Sequence, residues 1–236
     1  MNADDAALLD ALRLRFGLGR QAAERLAAFL ALLENEPRAP SAVTAAADAL
    51  DVHVADSLVA LEVAPLASAT SIADLGSGAG VPGLVLAIAL PDARVRLVES
   101  QRRKTQFLLL AVERLGLRNV EVVHDRVEAW THAAGALDVV TARAVAPAPV
   151  VLEYAAPLLR LGGTLVDWRG RRDTREEAAA DRASEILGLE RIETRHVRPF
   201  PAAAHRHLHV YRKQAPTPPG FPRRPGVASK RPLGRA

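Results

Sequence analysis

Between Ile72 and Gly83 the chain reads IADLGSGAGVPG, and the groups there that can do chemistry are one carboxylate, Asp74, and the backbone of Gly76, Gly78, Gly80 and Gly83. Glycine is needed where the chain takes φ > 0 or where a ligand lies against bare peptide, and this crowding asks for both. A short apolar run precedes the turn and GLVLAIAL follows it, so the stretch reads as a buried strand, a ligand-binding turn and an apolar helix. Pro82 suits the first turn of that helix, where a missing N–H costs nothing. A nucleotide-like cofactor is the natural occupant.

Gly78, Gly80 and Gly83 also fit the G-x-G-x-x-G of dinucleotide binders, so spacing alone leaves NAD open. Two acids favour S-adenosylmethionine. Asp74 lies two residues before the first glycine, placed to organise the loop and to face the cationic methionine end. Glu99 ends the next apolar run, RVRLVE, about twenty residues on, where it can accept hydrogen bonds from both ribose hydroxyls.

The other candidates stand at the ends of further apolar runs. Asp125-Arg126-Val127-Glu128 puts Val127 and Glu128 where backbone and apolar contact can meet an adenine, and Thr141-Ala142-Arg143 puts Arg143 at the methyl-donor end of the same pocket. The alternative for Arg143 is a surface ion pair. Arg171 and Arg172 follow Trp168-Arg169-Gly170 on the same side and can hold phosphate. His205, His207 and His209 alternate with Leu208 and Val210; the apolar pair claims the core side, so the histidines are expected to face water, and no metal site is read here.

These groups meet only if the elements between them form a doubly wound sheet. Strands are expected near 72–75, 94–98, 120–124, 137–141, 164–168, 191–197 and 207–212, with helices over 101–116, 147–162 and 174–188. Apolar strands alternating with helical stretches give an α/β fold with a parallel sheet, whose ligand sits outside the carboxyl ends of the strands. The last two strands have no helix-length segment between them, so the final strand is expected to be antiparallel, as in a class I S-adenosylmethionine-dependent methyltransferase with a Rossmann-like seven-stranded sheet. Ahead of the sheet, DDAALLDALRLRFG and RQAAERLAAFLALLENE read as two helices, and Leu26, Phe29, Leu30 and Leu33 make an apolar stripe on the second. A further helix is expected around Asp51 to Val63. The expected organisation is a helical cap over 1–65, a methyltransferase domain over 66–213 and a basic Pro/Gly-rich tail over 214–236.

Composition removes several alternatives. There is no cysteine, which excludes disulfide, zinc-thiolate and cysteine-nucleophile chemistry. MNADDAALLD is acidic where a signal peptide would be basic, and no apolar run approaches the roughly twenty residues a bilayer needs, so a soluble cytoplasmic monomer is expected with no membrane partner. Net charge is +4, yet seven basic residues and no acid lie between Arg212 and Ala236, leaving the remainder near −3. That tail, which carries Arg223, Arg224, Lys230 and Arg231, reads as a solubilising appendage or a nucleic-acid arm.

DLGSGAGVPGL, LVES…RRKTQFL, DRVE, TARA, the late RHL and the PRRPG…KRPL tail together resemble the RsmG (GidB) family of bacterial 16S rRNA guanine-N7 methyltransferases, and HVADS is similar to its H-x-x-D-S. The resemblance runs from about residue 50 to the C-terminus. It implies S-adenosylmethionine contacts at Gly76, Val81, Val127, Glu128 and Arg143. It also implies a guanine near the decoding centre as substrate, in naked 16S rRNA or in the 30S subunit, with Arg143 and Arg169 as positioning groups. Arg171, Arg172 and the tail cations would grip RNA phosphates. Two departures stand out: Arg169 replaces the family's usual lysine, and an alanine-rich stretch, Ala42 to Ala49, replaces its N-L-T segment. On the residues alone, a methyltransferase for a small molecule or protein, and a non-catalytic RNA- or NAD-binding protein, stay open.

Overall fold

A computed structural model describes residues 3–40 and 49–234; most of the alanine-rich stretch, 42–48, lies outside the described residues. Seven strands form one sheet: β1 Ser71–Leu75, β2 Arg94–Glu99, β3 Val120–His124, β4 Leu137–Arg143, β5 Leu159–Arg169, β6 Leu189–Val197 and β7 Arg206–Lys213. Their order is β3-β2-β1-β4-β5-β7-β6. β7 runs antiparallel between β5 and β6, and the neighbours from β3 to β5 are parallel. The chain order reverses between β1 and β4, which opens the crevice where a doubly wound sheet binds ligands.

The helices α1 Ala3–Arg15, α2 Arg20–Asn35, α5 Gly83–Ala89 and α6 Arg102–Arg114 share one core with Ile72, Val95, Val139, Val166 and Leu208. In α2, Leu26, Phe29 and Leu33 are buried and Leu30 partly so, as their spacing requires. Between α2 and the sheet runs α3, a helix in three parts: a π turn over Leu50–Ala55, an α turn over Asp56–Leu58 and a 3-10 turn over Val59–Glu62. A short helix, α4 Ala64–Ala67, leads into β1. On the opposite face, α7 Ala148–Ala155 and α8 Thr174–Leu187 pack over Ala73, Val140 and Leu165. Asp173 caps α8 by accepting from the N–H groups of Arg175 and Glu176, and Gly188 closes it at φ 72°. The helix expected over 147–162 ends at Ala155, because Pro157 cannot continue it, and β5 has begun by Leu159.

Pro82 precedes α5 at its N-cap, with a cis Val81–Pro82 bond. Gly83 opens the helix against β1 and β2: a Cβ there would stand 2.3 Å from Leu97 Cδ2 and 2.7 Å from Asp74 Oδ2. Gly83→Ala is therefore expected to destabilise the fold by about 1–3 kcal/mol through overpacking. Urea unfolding checks this; an unchanged midpoint would mean that α5 can lift from the sheet without cost.

Candidate active site at the carboxyl end of the sheet

The glycine turn lies directly after β1, with Gly76, Gly78 and Gly80 at φ 64°, 55° and 90°, all in the left-handed region that side chains avoid. A Cβ on Gly78 would have only the Gly76 carbonyl within 4 Å, at 3.6 Å, so this peptide offers an open backbone surface. Glu99 ties the end of β2 to the turn: Oε2 accepts from the Gly78 N–H at 3.0 Å and Oε1 from the Gln101 N–H at 2.7 Å.

Asp74 organises the turn from beneath. Its Oδ2 accepts from the Gly83 N–H at 3.2 Å and its Oδ1 from Thr141 Oγ1 at 2.9 Å. The side chain has no solvent exposure, and burial pushes its pKa up to about 6 against those hydrogen bonds. The expectation that Asp74 also faces the ligand's cationic end is corrected: Gly83 and Thr141 cover the carboxylate.

Val127 and Glu128 follow β3, both largely buried. Glu128 Oε1 accepts from Tyr154 Oη at 3.0 Å, from the Gly226 N–H at 3.1 Å and from Arg126 Nη2 at 3.2 Å. The loop after β3 is thereby joined to α7 and to the C-terminal segment.

Arg143 ends β4 and is partly buried, with its Nη1 donating to Asp56 Oδ2 and to the Val52 carbonyl, both at 2.9 Å. The sequence alternative of an ion pair is thus met, although the pair is not at the surface: the two side chains are 16% and 4% exposed. The changing helical pitch of α3 supplies the acceptors, with the Asp56 carbonyl taking Trp168 Nε1 at 2.8 Å. Arg206 enters from β7, its Nε 3.4 Å from Asp56 Oδ1. Ala144, next to Arg143, sits at φ 56°, a strained conformation for a residue with a Cβ. Asp56, Arg143, Trp168, Arg169, Gly170 and Arg206 line a cavity of about 400 Å³ in which Asp56 is the one acid among the described lining residues.

Arg169 ends β5 with its guanidinium on Asp167 at 2.6 Å and on Glu176 at 3.1 Å. Arg172 forks onto Glu177, and Arg171 stays exposed, 3.4 Å from His205 Nε2. Asp56 and Arg206 were not singled out by sequence reasoning as site residues. A charged residue amid mostly apolar neighbours, in VADSLVA, is the signal that could have found Asp56, whereas Arg206, flanked by His205 and His207, carries no such local signal.

Two expectations are corrected outright. Arg223 does not reach outward: its Nε, Nη2 and backbone N–H donate to Glu153, which has no solvent exposure, and Nη2 also donates to the Arg231 carbonyl at 2.9 Å. Phe221, Ala228 and Leu233 pack into the core beneath α7 and α8, so the C-terminal segment is strapped down, while Arg224, Lys230 and Arg231 remain exposed. His209 does not face water either. α8 covers the second face of the sheet, and His209 is 3% exposed with no hydrogen-bond partner among the described residues on either ring nitrogen. Burial pulls its pKa down to about 4, opposed by Glu177 and aided by Arg191, Arg169 and His207.

That inversion has a pH signature. Between pH 6.5 and about 4 the unfolded chain binds a proton that His209 refuses, so its contribution to stability falls as pH falls through that window. Asp74 and Asp167, raised by burial to about 6 and about 7, act in the opposite sense, losing stability as pH rises from 3.8. His209→Leu is expected to make melting less acid-sensitive than wild type between pH 6.5 and 4; parallel curves for the two proteins would show that His209 takes up its proton in place.

The family model described as rRNA small subunit methyltransferase G (GidB) matches residues 20–208. Among curated relatives, the ribosomal RNA small subunit methyltransferase G of Rubrobacter xylanophilus is 42% identical over 187 residues, covering 77% of this chain and 72% of its own. That of Chloroflexus aggregans is 44% identical over 186 residues, covering 77% and 76%. Among solved structures, an S-adenosylmethionine-dependent O-methyltransferase from Thermotoga maritima aligns with a TM-score of 0.58 at 16% identity, covering 76% of this chain and 74% of its own; that likeness bears on the fold alone. With the seven-stranded order, the glycine turn and this match over most of its length, the chain belongs to the GidB family of small-subunit rRNA methyltransferases.

Proposed function

We propose that this chain transfers the methyl group of S-adenosylmethionine to N7 of a guanine in 16S rRNA near the decoding centre. The observation that carries this reading is the cavity at the ends of β4 and β5, lined by Arg143, Arg169 and Arg206 with Asp56 as the one acid among its described lining residues. The open backbone at Gly78 and the carboxylate of Glu99 fit a nucleoside. Gly76, Gly78, Gly80 and Val81 would hold the cofactor by backbone, Glu99 its ribose, Val127 and Glu128 its adenine, and Arg143 the donor end, with Asp74 bracing the turn. When bound, S-adenosylmethionine supplies an electrophilic methyl group on a sulfonium.

Guanine N7 has an in-plane lone pair and no proton to lose, so the protein needs no general base. Its residues have only to align the base and accommodate the charge that moves onto the ring. Guanidinium groups suit the aligning, since they donate hydrogen bonds to the base, stay protonated and do not compete for the methyl group. The carboxylate of Asp56, the one acid among the described lining residues, matches the positive sign of the charge. Arg143 and Arg169 orient the base, and Arg171, Arg172, Arg224, Lys230 and Arg231 engage phosphates. No described helix is long and apolar enough to cross a membrane; the proposed setting is the cytoplasm, with a monomer acting on naked 16S rRNA or on the 30S subunit. Incubation with methyl-labelled cofactor and each RNA substrate tests the reading: label is expected in 7-methylguanosine after nuclease digestion, and label in any other nucleoside would overturn the target atom.

A further inference from the structure

A larger recess adjoins the cavity. A groove of about 630 Å³ runs between the start of α7, α8 and the C-terminal segment, with Pro147, Pro149, Ala178 and Pro232 on its walls and Arg175 and Arg182 beside them. Both arginines are exposed, although Arg182 Nε also donates to the Gly234 carbonyl at 2.8 Å. Glu176, the acid among the described lining residues, is neutralised by Arg169 at 3.1 Å, and its Oε1 also takes the Ala148 N–H at 2.8 Å. The groove therefore begins one side chain away from the cavity that Arg169 lines.

Apolar walls beside unopposed cations match the two halves of an unpaired nucleotide, a base that seeks apolar contact and a phosphate that seeks charge. A polyanion is favoured over a peptide or lipid because the charge is of one sign and the one acid is already paired. Resting on the rRNA reading above, we propose that this groove seats a nucleotide flanking the methylated guanine, its base against Pro147, Pro149 and Pro232 and its phosphates at Arg175 and Arg182. Pro232 belongs to the C-terminal segment, so the docked strap completes the subsite.

Two variants of the full chain test this. Ala178→Trp fills the groove from an exposed helix position, and Arg175→Ala with Arg182→Ala removes the cations. Each is assayed for methyl transfer to 16S rRNA over a range of salt, with cofactor affinity measured by calorimetry. Loss of a base contact worth about 1–3 kcal/mol predicts that Ala178→Trp raises the KM for RNA by about 5-fold or more with cofactor affinity unchanged. Loss of two single-strand phosphate contacts predicts that the double variant lowers the slope of log affinity against log salt by about 1.4. Unchanged RNA parameters in both variants, beside an active wild type, would overturn the groove assignment alone. A parallel loss of cofactor affinity would overturn it in favour of a structural role. Absence of rRNA methylation by the wild type would instead overturn the function itself, and the groove's role with it.

Discussion

Arg223→Ala is expected to lower stability by about 3–5 kcal/mol, the usual cost of stripping a buried carboxylate of its partner. Glu153 has no exposure, and Arg223 supplies its guanidinium donors at 2.5–3.1 Å together with the N–H at 3.0 Å. Without the guanidinium only the Arg223 N–H would remain on that carboxylate, so the expected response is release of the strap. For a chain of this size each kcal/mol moves the melting temperature by about 2–4 °C, giving a fall on the order of 10 °C. Release would also withdraw the Gly226 N–H and the Ser229 hydroxyl from the Glu128–Tyr154 pair, so weaker cofactor binding should accompany it. Arg224→Ala, one residue along and exposed, is the control, expected within about 0.5 kcal/mol of wild type. Thermal melts of the two variants decide the matter: equal melting temperatures would mean that the Arg223–Glu153 pair is not held in solution.

The second large effect is catalytic. Under the proposed mechanism, Arg143→Ala should reduce kcat/KM for methyl transfer by about 10²-fold, the cost of letting the base sit about 1 Å out of line with the methyl group. It also strips Asp56 of its 2.9 Å partner, leaving Arg206 at 3.4 Å, so a melting measurement must accompany the kinetics. Arg143→Lys separates the two roles. A lysine keeps the charge beside Asp56 but cannot present a planar fork, so it should recover stability more fully than rate. Full activity in a folded Arg143→Ala protein would remove Arg143 from the mechanism.

Much of this was legible in the chain. Short apolar runs alternating with helical stretches located all seven strands, because a parallel sheet covered on both faces needs strands that are apolar on both sides, and the glycines around residue 78 marked a turn whose φ values only glycine tolerates. What escaped depended on contacts far apart in sequence. Leu208 and Val210 do face one core, as the alternation required, but His209 faces another, since α8 closes the second side of the sheet. Nothing local distinguishes Arg223, held inward by a carboxylate seventy residues away, from Arg224, which is exposed. The π turn in α3 left no periodic trace, although Asp56 set among valine, alanine and leucine signalled a buried charge awaiting a partner.

The most direct measurement is strand scission at 7-methylguanosine in 16S rRNA, taken from cells that lack this protein and treated with the purified chain and S-adenosylmethionine. A single new cleavage near the decoding centre, absent with Arg143→Ala, is the predicted result. Cofactor binding with no new cleavage in either naked 16S rRNA or 30S subunits would contradict the proposed function while leaving the fold intact.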